Sequence, residues 1–420
     1  MQQNFPPKSP TAVPPRQLGG LDKTGSLSSR AAGWSAIEEH GASRTYAPCF
    51  PPRAPTFPRT RIVQDSTQQA WACSTGCNCM HPFEMTRELV DLESITENEK
   101  QVGEYLLHYL SGLAAGSDGK AEAMSVTPDR FNVYAEWGAP VVVLSTHMDT
   151  VPPFFASSED EDHIYGRGAC DAKGIIAAMI AAAEKLIESG TRNFGLLFVV
   201  GEERNSAGAE VASKSPRGAR YLINGEPTES KVALGSKGIL RYEIVAAGKM
   251  AHSAYPELGD SAIEKLLDAL EAVRRLPLPE DPVLGKTTLN IGTISGGRAP
   301  NIIPDAAKAE LAIRLVSDGR RVDDALRAAV GDRAEVREIL TLPAMRFAAL
   351  DGFQTSVVAF TTDIPVLAPA WGEPFLFGPG SIHVAHTLDE KISKRELLAA
   401  VDTYTRMTRT LLSKAEAHHA

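Results

Sequence analysis

The chain has 420 residues, 43 Lys plus Arg against 52 Asp plus Glu, and a formal charge of -9. With 43% hydrophobic and 23% charged residues it has the composition of a globular protein of about two domains, and the acidic balance argues against nucleic acid as its main partner. Its longest apolar run, Ile175 to Ala183, is far short of the roughly 20 residues that cross a bilayer, so no membrane association is expected.

Residues 1–84 hold 11 of the 28 prolines, and no periodic apolar face accompanies them. This composition predicts an N-terminal extension that is disordered or weakly structured. Four of the five cysteines, Cys49, Cys73, Cys77 and Cys79, fall in it, and Cys170 stands alone in the body of the chain. That distribution does not suit a disulfide framework. With no secretion signal visible, the expected compartment is the reducing cytoplasm. Cys73, Cys77, Cys79 and His81 lie too irregularly for a usual zinc knuckle. A helical sequence begins at Met85.

From there helices and strands alternate. Thr96–Leu113 reads as an amphipathic helix with Val102, Leu106, Leu107 and Leu110 on one side, and Thr96 and Glu99 have the spacing of a capping box. Val141–Ser145 is a buried strand, Gly174–Ser189 an Ala-rich helix, Gly195–Val200 another buried strand, and Leu222-Ile223 end a third. This alternation predicts an α/β catalytic domain with a central sheet flanked by helices. The middle changes character: strands at Ile239–Ala247, Thr288–Ile294 and Ala307–Leu315 with helices at Ser261–Leu276 and Val322–Val330 suggest a small inserted α+β domain. The α/β pattern then resumes and closes with a helix over Ser393–Leu412. The expected organisation is an extension at 1–84, catalytic parts at 85–237 and 346–420, and an inserted domain at 238–345.

Five segments concentrate acids and histidines: Ser145-Thr-His-Met-Asp, Gly166-Arg-Gly-Ala-Cys-Asp, Gly201-Glu-Glu-Arg, Asn224-Gly-Glu-Pro and Gly378-Pro-Gly-Ser-Ile-His-Val-Ala-His. Most lie just beyond the carboxyl ends of predicted strands, where ligands of α/β folds gather. Histidines mixed with carboxylates suit zinc, cobalt or manganese, and the adjacent Glu202 and Glu203 would repel without a cation or proton between them. Singly, each residue has a simpler reading: Asp171 could cap a helix, His147 could be a core histidine, and Glu226 a solvated turn residue. No Gly-x-Gly-x-x-Gly, P-loop or Gly-x-Ser-x-Gly pattern competes, and Cys170 reads as a packing residue.

With these segments in order over about residues 85–413, the chain resembles the M20 family of metallopeptidases and amidohydrolases, the group of acetylornithine deacetylase, succinyl-diaminopimelate desuccinylase, aminoacylase and related carboxypeptidases. The resemblance implies a catalytic domain binding two divalent ions, zinc or cobalt, and a ferredoxin-like lid that dimerises. It implies His147, Asp171, Glu203, Glu226 and His386 as metal ligands, with Asp171 bridging. Asp149 would orient His147, Glu202 would be the general base, and His252 would steady the oxyanion. Asn301 and Arg314 would contact the substrate carboxylate, with Gly380 near the substrate end. A Glu at position 226 is typical of deacylases and carboxypeptidases rather than aminopeptidases. His383 lies outside the ligand set, and Ala172 follows Asp171 where many members carry an acidic or bulkier residue. The expected reaction is hydrolysis of the amide bond of a small N-acyl amino acid, most like acetylornithine. The alternatives are a succinyl-diaminopimelate desuccinylase, a dipeptidase or carboxypeptidase, or a non-catalytic metal-binding protein on the same scaffold.

Overall fold

The computed structural model describes residues 80–417. Cys73, Cys77 and Cys79, and nearly all of the proposed 1–84 extension, lie outside these residues. Helix α1, Pro82–Asp91, begins before Met85: Pro82 needs no amide partner in the first turn, and His81 Nδ1 accepts the Phe83 N–H at 3.3 Å. Helix α2 spans Lys100–Ala115. The capping box expected ahead of it does not form, because tertiary partners take both side chains. Thr96 Oγ1 donates to Asp149, and Glu99 pairs with Arg130.

Strands β1, Lys120–Thr127, and β2, Arg130–Trp137, form a hairpin. The buried strand β3, Val142–His147, leads through the candidate loops to helix α3, Lys173–Glu188. Strand β4, Phe194–Val199, follows, then helix α4, Ala207–Ser213, and strands β5, Tyr221–Asn224, and β6, Val232–Ser236. A second sheet takes β7, Gly238–Ala247, and, after helix α5, Ala262–Arg274, β8, Thr288–Gly296, and β9, Ala306–Leu315. Helix α6, Arg320–Val330, and strand β10, Glu335–Leu342, complete it. The chain returns through helix α7, Ile364–Trp371, strand β11, Glu373–Leu376, and helix α8, Lys394–Ala417.

The large mixed sheet runs β1-β2-β4-β3-β5-β11-β6, with short strands beyond β6. β4, β3, β5 and β11 are mutually parallel, so their carboxyl ends open on one edge, while β2 pairs antiparallel with β4. The pleat sends alternate residues to opposite faces. Val142, Leu144, Phe194, Leu196 and Phe198 join the core beneath α1, α2, α3 and α8. Val143, Leu197, Val199 and Leu222 meet Ala209, Ala212, Leu367 and Trp371 of α4 and α7 on the other face. Nearly all of α3 is buried, because it is covered by α1 and α8 as well as by the sheet. Its alanines allow that close approach.

The smaller sheet, ordered β8-β9-β7-β10, is antiparallel. Ala307, Ala309, Leu311 and Ile313 of β9 pack with Leu240, Tyr242 and Ile244 of β7 against Leu266, Leu270, Val322 and Leu326 of the helices. The other face carries Lys308, Glu310 and Arg314.

Trp371 is fully buried, stacks edge-on against Tyr134 at 5.7 Å, and donates its Nε1–H to the Ala212 carbonyl at 3.0 Å. Trp371→Ala is therefore expected to destabilise the fold by about 3–5 kcal/mol, read as a lower urea midpoint at unchanged m-value. A midpoint within error of wild type would refute this account of the α4–α7 layer.

Candidate metal centre

Parallel pairing brings distant segments to one edge of the sheet. His147 is the last residue of β3, Glu202 and Glu203 follow β4, Glu226 follows β5, and His386 lies in the loop after β11. Gly201, with φ of 83°, makes the sharp exit from β4; a Cβ there would also stand 2.9 Å from Arg130 Nη2.

His147 and Asp171 are buried, with His147 Nε2 3.0 Å from Asp171 Oδ1 and 3.9 Å from Glu226 Oε2. The other carboxylate oxygen, Asp171 Oδ2, is 3.3 Å from His386 Nε2, which also lies 3.1 Å from Glu203 Oε1. His386 adopts the left-handed region with φ of 62° and is half-exposed, so the cluster opens to solvent on its side. The Nδ1–H of His147 donates to the Asp149 carbonyl at 3.0 Å, leaving Nε2 to face the acids. Asp149 is itself fixed: its carboxylate accepts the N–H groups of Glu202 at 3.1 Å and Glu203 at 3.2 Å and the Thr96 hydroxyl at 2.8 Å. One acid thereby ties the β3 exit to the β4 exit.

The electrostatics call for positive charge. Burial pushes the Glu202 carboxyl well above the usual carboxylate range, and the nearby Glu226 adds to it. Burial does the same to Glu226, with Asp171 and Glu203 contributing. Burial opposes ionisation of Asp171 too, yet the two imidazoles hold it below the ordinary range. Its carboxylate, with that of Glu203, raises His386 to about 10. Five carboxylates (Asp149, Asp171, Glu202, Glu203 and Glu226) converge with two imidazoles, and with all five ionised, protonating both imidazoles would still leave negative charge in excess. A divalent cation would supply the compensation, and the donor set of imidazole nitrogen and carboxylate oxygen suits one. Ligand atoms of His147, Asp171 and Glu203 lie within 4.8 Å of one another, a spacing that fits a small ion.

Several residues around the cluster have supporting parts that the sequence did not assign to them. Glu390 and Arg167 form a buried pair behind Asp171. Asp363, buried at the start of α7, is raised to about 6 by its burial and adds negative charge near Glu202 and Glu226. Lys173 is wholly buried and donates to the Leu92 carbonyl at 2.5 Å, fastening the end of α1 to the start of α3. Gly174 follows Ala172 and Lys173 because a Cβ there would come within 2.4 Å of the Ala169 carbonyl oxygen. Cys170 is buried, and burial with the adjacent Asp171 charge pushes its thiol far up, as suits a packing residue. Gly380, with φ of 82°, passes so close to Cys170 that a Cβ would stand 2.5 Å from Sγ, and its N–H donates to Glu396. His383 is exposed, with its N–H on Ser381 Oγ.

The remaining candidates sit with the smaller sheet. A short bridge pairs His252 with Ile302, and the Ser253 N–H donates to the Asn301 carbonyl at 3.0 Å, so two motifs far apart in sequence meet. His252 and Asn301 are exposed; Arg314, on β9, is half-buried, with a buried Nη1 that has no hydrogen-bond partner among the described residues. Among the described residues no hydrogen bond or ion pair joins these three to the His147 cluster.

Parallel central strands of a mixed α/β sheet, with an imidazole–carboxylate cluster at their carboxyl edge, together with the family match that follows, make the chain a metal-dependent hydrolase. The chain belongs to peptidase family M20/M25/M40, whose profile matches residues 143–410. It is 39% identical over 331 residues to a peptidase M20 domain-containing protein of Schizosaccharomyces pombe, covering 76% of this chain and 82% of that one. It is 37% identical to a protein of Aspergillus oryzae described as a probable carboxypeptidase, covering 86% and 95% of the two chains. The fold is similar to that of a tripeptidase from Staphylococcus aureus, with a TM-score of 0.67 at 23% identity over 79% of this chain and 98% of that one. The described helices include none long and apolar enough to cross a membrane.

Proposed function

We propose that the chain is a dinuclear metal-dependent amidohydrolase that cleaves the amide bond of a small N-acyl amino acid, in the manner of acetylornithine deacetylase. The observation that carries this is the Asp171 carboxylate, one oxygen of which faces His147 and the other His386. His147, Asp171 and Glu226 would hold one ion, and Asp171, Glu203 and His386 the second, zinc or cobalt by their mixed nitrogen and oxygen donors. When bound, such ions polarise a carbonyl and make hydroxide available near neutral pH. Glu202 takes a proton onto its carboxylate from the attacking water and passes it to the departing amine. Its loop is held for that task by the N–H bonds to Asp149, which also orients His147.

The smaller sheet supplies the rest of the reading. It acts as a ferredoxin-like lid: His252 donates to the developing oxyanion, and Arg314 and Asn301 receive the substrate carboxylate. The buried and unpartnered Nη1 of Arg314 supports that role, since a guanidinium donor left without a partner in the interior suits a carboxylate. Gly380 lets the β11 loop lie close to the cluster at the substrate end. Among the described residues the outer strand β8 leaves one edge unpaired, with Ile294 57% exposed, which supports a homodimer joined through this sheet. A second reading, cleavage of a dipeptide or of a C-terminal residue from a peptide, is favoured by the carboxypeptidase description of the Aspergillus relative.

The full chain, loaded with zinc or cobalt, is expected to release free amine from one of acetylornithine, succinyl-diaminopimelate or a dipeptide panel, and to lose that activity to a chelator. Acetylornithine turnover supports the first reading, and turnover of dipeptides alone supports the second. Metal binding with no turnover of any substrate would overturn both.

A further inference from the structure

We propose that Glu390 is the positioning residue that sets the spacing between Asp171 and His386, and through it the affinity of the chain for divalent metal. This rests on the reading of those two residues as ligands. The segment from Gly166 to Ala172, which carries Asp171, belongs to no strand or long helix, so no ladder of backbone bonds holds it. Glu390 takes that place. Its Oε1 accepts the backbone N–H groups of Gly168 at 2.9 Å, Cys170 at 3.3 Å and Asp171 at 3.1 Å. Its Oε2 pairs with Arg167, and its own carbonyl accepts the Gly166 N–H at 3.1 Å. Both side chains of that ion pair are 1% exposed. Arg167 is held in turn by the Pro153 carbonyl at 3.1 Å and by the Phe155 ring.

Glu390 is also four residues beyond His386, in the same loop. The strand that follows it, Lys391–Ser393, pairs with His163–Tyr165, which leads directly into the Asp171 segment. The two proposed ligands are thus carried by two otherwise irregular loops joined at one carboxylate. A concave run of backbone N–H groups around a carboxylate is a stiff arrangement, and its loss would let the 3.3 Å separation between Asp171 Oδ2 and His386 Nε2 widen.

The test uses the metal-free full chain titrated with cobalt in competition with a chromogenic chelator, with the visible cobalt spectrum and thermal unfolding recorded in parallel. Two variants are made. Arg167→Met with Glu390→Leu removes both charges, so neither is stranded in the interior. Glu390→Asp keeps the charge but draws the carboxylate back from the amides. In each variant that unfolds cooperatively, cobalt affinity is expected to fall about 10–100-fold, with a changed cobalt spectrum. If the double variant does not fold, Glu390→Asp decides. A folded variant with wild-type cobalt affinity and spectrum, even at a lower unfolding temperature, would overturn the proposal and leave Glu390 a purely structural residue. Asp171→Asn is run alongside. Wild-type cobalt affinity in that variant would instead overturn the ligand reading on which the proposal rests.

Discussion

Replacing Glu202 by Gln is expected to lower kcat about 10²–10⁴-fold while KM and bound metal stay near wild type, because the change removes a proton acceptor and keeps the side-chain shape. The loop itself should survive, since it is held by backbone groups: the N–H of Glu202 and that of Glu203 both end on Asp149. Glu202 is only partly exposed, and burial with the charge of Glu226 pushes its carboxyl up, so the base role requires a bound divalent cation to keep it ionised. The measurement is steady-state kinetics on the best substrate of the panel, with metal content of the same preparations. An unchanged kcat would remove Glu202 from the base role; metal lost in step with activity would make it a ligand instead.

The second large effect is on stability. Arg130→Leu leaves the Glu99 carboxylate stranded in the interior. That side chain has no exposed surface and is bound by Arg130 through both oxygens, at 2.8 Å and 2.6 Å. Removing one partner of a buried ion pair costs about 3–5 kcal/mol. For a chain of this size, at about 2.1 cal/mol/K of unfolding entropy per residue, that corresponds to a fall in Tm of roughly 3–7 °C. The double variant Arg130→Leu, Glu99→Leu should recover part of the loss, because no charge is left unpaired. The loss should also reach the metal centre, since Arg130 packs where Gly201 turns toward Glu202. Scanning calorimetry of wild type and both variants checks this. A single variant as stable as wild type would show that Glu99 finds water or another donor.

The comparison of sequence and structure turns on which signals are local. Buried strands such as Val142–His147 and Phe194–Val199 stand out as apolar runs, and an Ala-rich helix such as Lys173–Glu188 announces itself by composition. The hairpin of Lys120–Trp137 does not, because its outer strand is largely exposed and mixes lysine, glutamate and alanine. The edge strand Glu335–Leu342 is hidden for the same reason. The Thr96 and Glu99 pattern was legible but misleading, since spacing cannot show that a distant aspartate and arginine will claim the two side chains.

The sequence by itself determined the alternation of strand and helix, the insertion of a smaller sheet, the five acid and histidine segments, and the family to which they belong. Each is carried by residues close together in the chain. Only the tertiary structure decided that the segments share one edge of the sheet, that Asp171 presents one oxygen to each histidine, and that His252 meets Asn301. It alone revealed the supports of the centre: Thr96, Lys173, Asp363 and the Arg167–Glu390 pair. These residues act across long stretches of chain through burial and tertiary contacts, and such contacts leave no periodic or spaced mark in the sequence.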